Sequence, residues 1–242
     1  MSSSNGSDLV AQDITKSVHL KALILDFGGV ISRTLFETHE LSEQALGLPS
    51  GTLTWLGPFH PESDELWQKM QNGEISERDY WLHRTKEVGC LLGQNWTEMQ
   101  TLVQKARGND VEAIIRPEAI QAIQIVKAAG LQLAIISNEL DLFYGFGFSQ
   151  KLSLLKNFDV IEDATYTKVL KPAPQAYLSC LTALGLSANE CVFVDDQIKN
   201  IKGAEQVGLH TVHFDVKNPF FSYEQALNCL GLSFSNGNKV NY

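Results

Sequence analysis

Residues 20–27 read LKALILDF, and Gly28 and Gly29 follow directly. The run is short and almost continuously apolar before Asp26, which is typical of a strand buried on both faces of a parallel sheet. The two glycines allow the backbone to turn tightly after it. The stretch therefore predicts a buried strand that presents a carboxylate at its carboxyl end.

Apolar runs of the same kind recur later in the chain and alternate with amphipathic segments. Strands are predicted at 131–137, 158–161, 190–196 and 209–214, and helices at 116–130, 172–185 and 198–208. Such alternation indicates a parallel sheet with right-handed crossovers. The sequence therefore predicts an α/β fold with a Rossmann-like parallel-sheet core.

The stretch from about residue 34 to residue 109 has a different pattern and contains no obvious strand. Four helical segments are predicted there, each ending at a glycine: 40–47, 61–73, 76–89 and 95–108. The predicted organisation is a core of residues 19–33 and 110–234, a helical insert at 34–109, and flexible ends at 1–18 and 235–242.

Composition limits the classes of partner. The net charge is −9, with 19 Lys and Arg against 28 Asp and Glu, which argues against nucleic acid or an anionic membrane as the main partner. A small anionic substrate stays compatible with a local positive site. No stretch is long and apolar enough to span a bilayer, and the first residues lack the pattern of a signal peptide.

The four cysteines form no CxxC pair and show no zinc-ligand spacing. They are expected to be reduced thiols, which favours a reducing compartment and a cytoplasmic location. The sequence leaves the oligomeric state open, with a homodimer among the alternatives.

Polar residues follow three of the predicted strands, and a lysine precedes a proline on the loop between the last two. Because ligands bind outside the carboxyl ends of parallel strands, all of them are expected on one face of the sheet. They are Asp26, Ser137, Asn138, Lys171, Asp195 and Asp196.

These residue types suit displacement by a carboxylate. Asp26 can attack an electrophile and form a covalent ester or acyl phosphate that water later cleaves. Lys171 can keep that carboxylate ionised and neutralise charge that builds up on the substrate. Lys168 is the alternative for this role, but the proline after Lys171 favours Lys171. The predicted catalytic residues are therefore Asp26, Ser137 and Lys171.

Substrate oxygens also need hydrogen-bond donors. The Ser137 hydroxyl and the backbone amides just after the first and second strands, at Phe27, Gly28 and Asn138, are the predicted donors.

A metal site is predicted beside them, since Mg²⁺ prefers carboxylate, carbonyl and water oxygens. Asp26, Asp195 and Asp196 are its predicted carboxylates. Asp195 is predicted as a direct ligand, whereas Asp196 is expected to bind through water or to hold Lys171. Asn200, on the following helix, is expected to orient this loop.

Four segments resemble, in sequence and in spacing, the four motifs of the haloacid dehalogenase superfamily: LDFGGV, IISNE, the Lys171-Pro172 step and VFVDDQIKN. The resemblance covers roughly residues 20–215. It implies a hydrolase with Asp26 as nucleophile, and it adds the Gly28 carbonyl as a metal ligand. The helical insert resembles the cap domain that closes over the site in this superfamily and selects the substrate.

One position departs from the phosphatases of that superfamily, which usually carry a second aspartate two residues after the nucleophile. Here that position is Gly28, so no side chain at this position can pass a proton to the leaving group, and water or a side chain of the cap are the candidates to replace it. The chain resembles a branch with D-x-G in this motif. The pair Asp195-Asp196 is similar to the phosphatases, whereas 2-haloacid dehalogenases usually show Ser and Asn there.

Three functions follow, in this order. The first is a Mg²⁺-dependent phosphatase of a small phosphate monoester. The second is a metal-independent hydrolase of a carbon–heteroatom bond, in a 2-haloacid or a strained small heterocycle. The third is a catalytically idle protein that keeps the fold for binding or regulation.

Residues of the insert have two interpretations each. The aromatic ones either pack the helices together, which is favoured for most, or line the pocket: Trp55, Phe59, Trp67, Tyr80, Trp81 and Trp96. Arg33 and Arg84 can bind a substrate carboxylate or phosphate, or they can face solvent. The sequence pattern does not decide between these two alternatives.

Overall fold

The computed structural model describes residues 19–107 and 112–235. The predicted flexible ends, apart from residue 235, lie outside the described residues, as does the predicted boundary of the insert at 109–110. Among the described residues, no helix is long and apolar enough to cross a membrane.

Five parallel strands form one sheet in the order β3-β2-β1-β4-β5. The strands are β1 (Ala22–Leu25), β2 (Gln132–Ser137), β3 (Val160–Asp163), β4 (Cys191–Asp195) and β5 (His210–His213). The predicted α/β fold with a parallel sheet is therefore confirmed. The central strand is β1, in which Leu23 is paired with Leu133 on one side and with Val192 on the other.

The third strand lies two residues later than predicted. Asp159 precedes it, where its carboxylate accepts a hydrogen bond from the backbone amide of Leu133 (2.9 Å). The strand itself is VIED, an edge strand whose last two residues are acidic. Apolar patterning, which located the other strands, is too short here to fix the ends.

A kinked π-helical turn, Phe27–Ile31, follows β1. Eleven α-helices accompany the sheet in the described residues: α1 (His39–Leu46), α2 (Glu65–Gln71), α3 (Glu77–Leu91), α4 (Met99–Arg107), α5 (Pro117–Ala128), α6 (Leu140–Tyr144), α7 (Phe148–Lys151), α8 (Ala164–Thr167), α9 (Pro174–Leu184), α10 (Ile198–Val207) and α11 (Pro219–Cys229). Short 3-10 turns occupy Phe36–Thr38, Gly57–Phe59, Pro61–Ser63, Ser153–Asn157 and Ala188–Glu190.

The sheet is covered on both faces, which explains the continuous apolar runs. Ala22 and Ile24 pack with α9 and α10 on one face, whereas Leu23 and Leu25 pack with α5, α11 and the insert on the other. All four side chains are fully buried. Burying one large aliphatic side chain contributes roughly 1.5–3 kcal/mol to the free energy of folding. The packed strands therefore hold the polar residues at their ends in fixed positions.

The insert is helical, with α1 to α4 and no strand in its described residues. Gly89 does not end its helix as predicted, since α3 continues to Leu91. Trp96 packs so closely on this glycine that an added Cβ would lie 3.0 Å from the Trp96 Cγ atom. The glycine is needed for packing, and the positive-φ turn after the helix is at Gly93 (φ +66°).

The insert leaves and rejoins the core through two segments that pair with each other. Ser32 and Ile115 form an antiparallel bridge. The Arg33 amide donates to the Ile114 carbonyl (2.7 Å), and the Arg116 amide donates to the Ile31 carbonyl (3.0 Å). These bonds hold residues 31–33 and 114–116, the described core segments on either side of the insert, against each other.

Candidate active site

Asp26 and Lys171 form a buried ion pair at the carboxyl end of the sheet. The Asp26 amide donates to the Val194 carbonyl (2.9 Å), which fixes the residue beside β4. The Lys171 ammonium lies 2.8 Å from Asp26 Oδ1 and 2.7 Å from Asp195 Oδ2. Only 13% of the Asp26 side chain and 1% of the Lys171 side chain are exposed.

Burial dominates the electrostatics of this pair. It raises the pKa of Asp26 from 3.8 to about 7, even though the Lys171 charge lowers it. Burial also acts to lower the pKa of Lys171, but Asp195 and Asp26 outweigh this and leave that pKa raised. The lysine therefore stays charged, and the Asp26 carboxylate is more basic than a solvated one.

Lys171 is held in place through its backbone. The Asn138 Oδ1 atom accepts from the Lys171 amide (2.7 Å), and the Asn138 Nδ2 group donates to the Lys171 carbonyl (3.1 Å). The Asn138 side chain is committed to this loop, so only its backbone amide can serve as the predicted donor to substrate. Lys168, the alternative lysine, donates to the Thr165 carbonyl outside the site.

Asp195 is the residue that holds Lys171, a role that the sequence offered to Asp196. Asp195 is fully buried, and its carboxylate accepts from Lys171, from the Gln197 amide (2.8 Å) and from Asn200 Nδ2 (3.0 Å). Asp196 lines the pocket instead. The physical reason is the alternation along the strand end, which turns the last strand residue inward and the next one toward the opening.

The three carboxylates form one cluster. Asp26, Asp195 and Asp196 each offer an oxygen atom, and these oxygens all lie within 4.8 Å of one another. Burial raises the pKa of Asp196 well above its ordinary value, and the charges of Asp195 and Asp26 raise it further. Three carboxylates beside one ammonium fit a divalent cation that takes hard oxygen ligands.

The turn after β1 shows which of its residues can act on a substrate. The Phe27 ring is fully buried and packs edge-on against Tyr144 and Phe148, so only its backbone can serve as predicted. Gly28 lines the pocket with φ −70° and ψ 126°, values that any residue adopts. An added Cβ would meet no atom within 4 Å, so neither backbone nor space requires a glycine there.

Gly29 is different, because its φ of +78° favours glycine and an added Cβ would lie 2.6 Å from Asp196 Oδ2. The close approach of this turn to Asp196 therefore depends on Gly29. Ser137, the last residue of β2, lies on the pocket wall beside Asn138.

The pocket above these residues has a volume of about 110 Å³. Of the aromatic residues considered in the sequence, Trp67 and Trp81 line it. Trp55, Tyr80 and Trp96 are buried packing residues, and Phe59 packs partly buried against the core. Arg33 lines the pocket, whereas Arg84 is paired with Asp64 and Glu87 (2.6 Å each) away from it.

Other pocket residues had no recognisable pattern in the sequence. They are Phe36, Glu77, Arg107, Glu139, Phe143 and Tyr144. Arg107 is the last residue of α4, where a basic residue is expected simply to complement the helix dipole. Phe143 and Tyr144 belong to α6, a five-residue helix that carries no periodic signal.

A family model of haloacid dehalogenase-like hydrolases matches residues 20–208. Acyl-CoA dehydrogenase family member 10 of Mus musculus is 37% identical over 199 residues, which is 81% of this chain but only 18% of the mouse protein. The chain therefore spans about a fifth of that relative's length. Sesquiterpene phosphatase astK of Aspergillus oryzae is 24% identical over 200 residues, covering 80% of this chain and 89% of that protein.

Among solved structures, YfnB of Bacillus subtilis, crystallised with magnesium bound, superposes with a TM-score of 0.58 at 18% identity. The match covers 81% of this chain and 87% of the YfnB chain, and it shows a shared fold. The family model matches most of this chain, residues 20–208, and the four motifs lie together at one end of the sheet. The chain therefore belongs to the haloacid dehalogenase-like hydrolases.

Proposed function

We propose that this hydrolase is a Mg²⁺-dependent phosphatase of small phosphate monoesters, with Asp26 as the nucleophile. The observation that carries the proposal is the cluster of Asp26, Asp195 and Asp196 oxygens within 4.8 Å, directly beside the Lys171 ammonium. A relative named as a phosphatase supports it.

Asp26 and Asp196 are the side chains that would hold the ion, with the Gly28 carbonyl as a further ligand. Asp195 contributes its charge while its oxygens hold Lys171, Gln197 and Asn200. Bound Mg²⁺ would neutralise the clustered carboxylates and the phosphate oxygens, so that two anions can approach each other. The raised pKa of Asp196 agrees with a site that is unfavourable for charge until a cation is bound.

The protein's own groups account for the remaining steps. A carboxylate oxygen of Asp26 attacks phosphorus, the bond to the leaving oxygen breaks, and an aspartyl phosphate forms. Water then attacks that phosphorus, which releases inorganic phosphate and regenerates Asp26. Lys171 lies 2.8 Å from the nucleophile and offsets charge on the transferred group, while Ser137 offers a hydroxyl to its oxygens.

Gly28 limits which esters react well. A positioned general acid contributes about 10²–10⁴ in rate, and the side chain that would supply it is missing here. Esters with acidic leaving groups, such as aryl phosphates, need little protonation and are expected to react fastest.

The test is release of an aryl alcohol from its phosphate ester, with Mg²⁺ and with excess chelator, by the wild type and Asp26→Asn. Release that requires the metal and disappears in Asp26→Asn is expected. Hydrolysis that persists in the chelator or in the variant would exclude this function.

Gly28 also favours a second candidate, hydrolysis of a carbon–heteroatom bond. Attack of Asp26 on carbon would expel a halide or open a strained ring with little or no acid at position 28. Halide release or ring opening that is unaffected by chelator would support this reaction, whereas a strict Mg²⁺ requirement would exclude it.

A further inference from the structure

A second charged region lies in the same pocket, apart from the carboxylate cluster. Arg33 follows the turn after β1, Arg107 ends α4, and both line the pocket. The Arg107 Nη2 group donates to the Arg33 carbonyl (2.7 Å), and its Nη1 group donates to Thr38 Oγ1 (3.1 Å). Two hydrogen bonds therefore fix the Arg107 guanidinium against the segment that carries Arg33.

The positive charge in this region exceeds the negative charge. Glu37 is a carboxylate of the same segment, and both of its oxygens are bound by Arg116 (2.7 and 2.6 Å). In the described part of the chain, the arginine ion pairs belong to Arg78, Arg84 and Arg116. Neither Arg33 nor Arg107 has a carboxylate at ion-pair distance among these residues.

Arg107 also keeps an unused donor. Its Nε–H group is buried and has no hydrogen-bond partner in the described residues. Burial lowers the pKa of Arg107, although Tyr144 and Glu37 act to raise it. A buried donor without a partner is unfavourable, so the free Nε–H group points to a partner that arrives with a ligand.

Another part of the wall is apolar, and the carboxylates that also line the pocket, Glu77 and Glu139, have the cations of Lys199 (3.9 Å) and Arg78 (2.7 Å) as partners. Phe36, Trp81 and Phe143 line the same pocket, and the Trp81 ring lies 5.3 Å from Phe36 and 5.5 Å from Phe143 between ring centres. These rings can contact a hydrocarbon portion of a ligand but offer it no charge.

We propose that Arg33 and Arg107 form a subsite for a second anionic group, a carboxylate or a phosphate, at the end of the substrate that does not react. The substrate class is then a phosphate monoester whose short apolar body carries another anion. This inference rests on the proposed function, which assigns the reacting phosphate to the Asp26 end of the pocket. Guanidinium groups bind planar anions through paired hydrogen bonds, which suits the group to this task.

The test uses binding of probes that are not hydrolysed, on the full chain with Mg²⁺. Alkylphosphonates are compared by calorimetry with ω-carboxyalkylphosphonates and α,ω-bisphosphonates of the same chain length. The wild type is expected to bind at least one of the doubly anionic probes about tenfold or more tightly than the matched alkylphosphonate. The carboxylate and phosphonate arms distinguish the two kinds of second anion.

Variants assign the preference to the arginines. Arg33→Gln is expected to remove the preference for doubly anionic probes while leaving alkylphosphonate binding within about twofold. Arg107→Lys is expected to reduce this preference, because the charge stays but the paired N–H groups of the guanidinium are lost. Lys105→Gln is the matched control, since it removes one positive charge from the exposed side of the same helix. Thermal unfolding of each variant checks that the fold is retained.

The outcomes separate this inference from the proposed function. Equal binding of both probe types by the wild type would overturn the subsite. Equal weakening of both probe types by Arg33→Gln would also overturn it, because the arginines would then hold the reacting phosphate. Hydrolysis of an aryl phosphate in the same buffer shows whether the proposed function stands regardless. Absence of both hydrolysis and phosphonate binding would reject the two together.

Discussion

At the residue scale, the departure at position 28 is the most informative feature of the site. The backbone there has ordinary dihedral angles, and a Cβ would meet no atom within 4 Å. The fold therefore does not require that position 28 lack an acidic side chain. An acid can be put back without rebuilding the turn.

We expect Gly28→Asp to increase hydrolysis of alkyl phosphates more than of aryl phosphates. A restored proton donor helps most where the leaving group is poorly acidic, by up to about 10²-fold relative to the aryl ester. The ratio of kcat/KM for matched alkyl and aryl esters measures this effect. Gly28→Asn, which has the same size without the proton, is the control, and an equal change in both variants would contradict the prediction.

Asn138 gives a second prediction at this scale, because it contacts Lys171 only through the backbone. Asn138→Ala removes two hydrogen bonds, each worth about 1 kcal/mol, and frees the lysine to move. We expect kcat to fall about tenfold or more while the pH profile keeps its shape. A steady-state pH series checks this, and an unchanged kcat would show that the loop is held by other contacts.

At the element scale, a clasp formed by Arg116 joins the turn after β1 to the first residues of the insert. The Arg116 Nε group donates to the Gly29 carbonyl (3.0 Å), and its two terminal nitrogens bind Glu37. Glu37 in turn accepts from the amide and hydroxyl of Thr34 (2.8 Å each). The position of Gly29 against Asp196 is thus tied to the geometry of the insert.

Arg116→Gln is expected to destabilise the protein by about 3–5 kcal/mol, because it leaves the Glu37 carboxylate without its buried partner. The double variant Arg116→Gln/Glu37→Gln is expected to be more stable than this single one. Urea unfolding of Arg116→Gln, Glu37→Gln, the double variant and the wild type measures the difference. If the double variant is as unstable as the sum of both single changes, the clasp does not act as a unit.

Sequence patterns located most helices and strands, because each of these elements has its own local pattern of apolar residues. The run ALIL predicts β1, and the acidic residues at the ends of β1 and β4 predict the site. Assigning the separate roles of Asp195 and Asp196 was beyond the sequence, since that depends on which way each side chain faces at the strand end. Arg107 and Tyr144 were missed because their importance arises only when α4 and α6 meet the core.

At the scale of the whole molecule, the carboxylate cluster links folding to metal and to pH. Burial raises the pKa of Asp26 to about 7 and that of Asp196 well above 3.8. An acid with a raised pKa stabilises the folded state while it is protonated. The metal-free protein is therefore expected to lose stability as pH rises from about 4 through about 7.

Mg²⁺ reverses that trend, because the ion replaces the protons on these carboxylates. We expect it to raise the melting temperature more at pH about 8 than at pH about 5.5. Thermal unfolding with Mg²⁺ and with chelator at both values measures this difference. Asp196→Asn is the control, in which the Mg²⁺-induced rise in melting temperature should largely vanish. An equal rise at both pH values in the wild type would argue against a metal site at this cluster.

The central claim is that Asp26 carries the phosphoryl group during turnover. The most direct measurement is rapid acid quenching of the Mg²⁺-loaded enzyme with an aryl phosphate, reduction with borohydride, and mass spectrometry of the peptide that contains Asp26. Conversion of the Asp26 carboxyl to an alcohol in the wild type, dependent on substrate and metal, is the predicted result. An Asp26 peptide that stays unmodified while the substrate is consumed, or a modification at another carboxylate, would contradict the account.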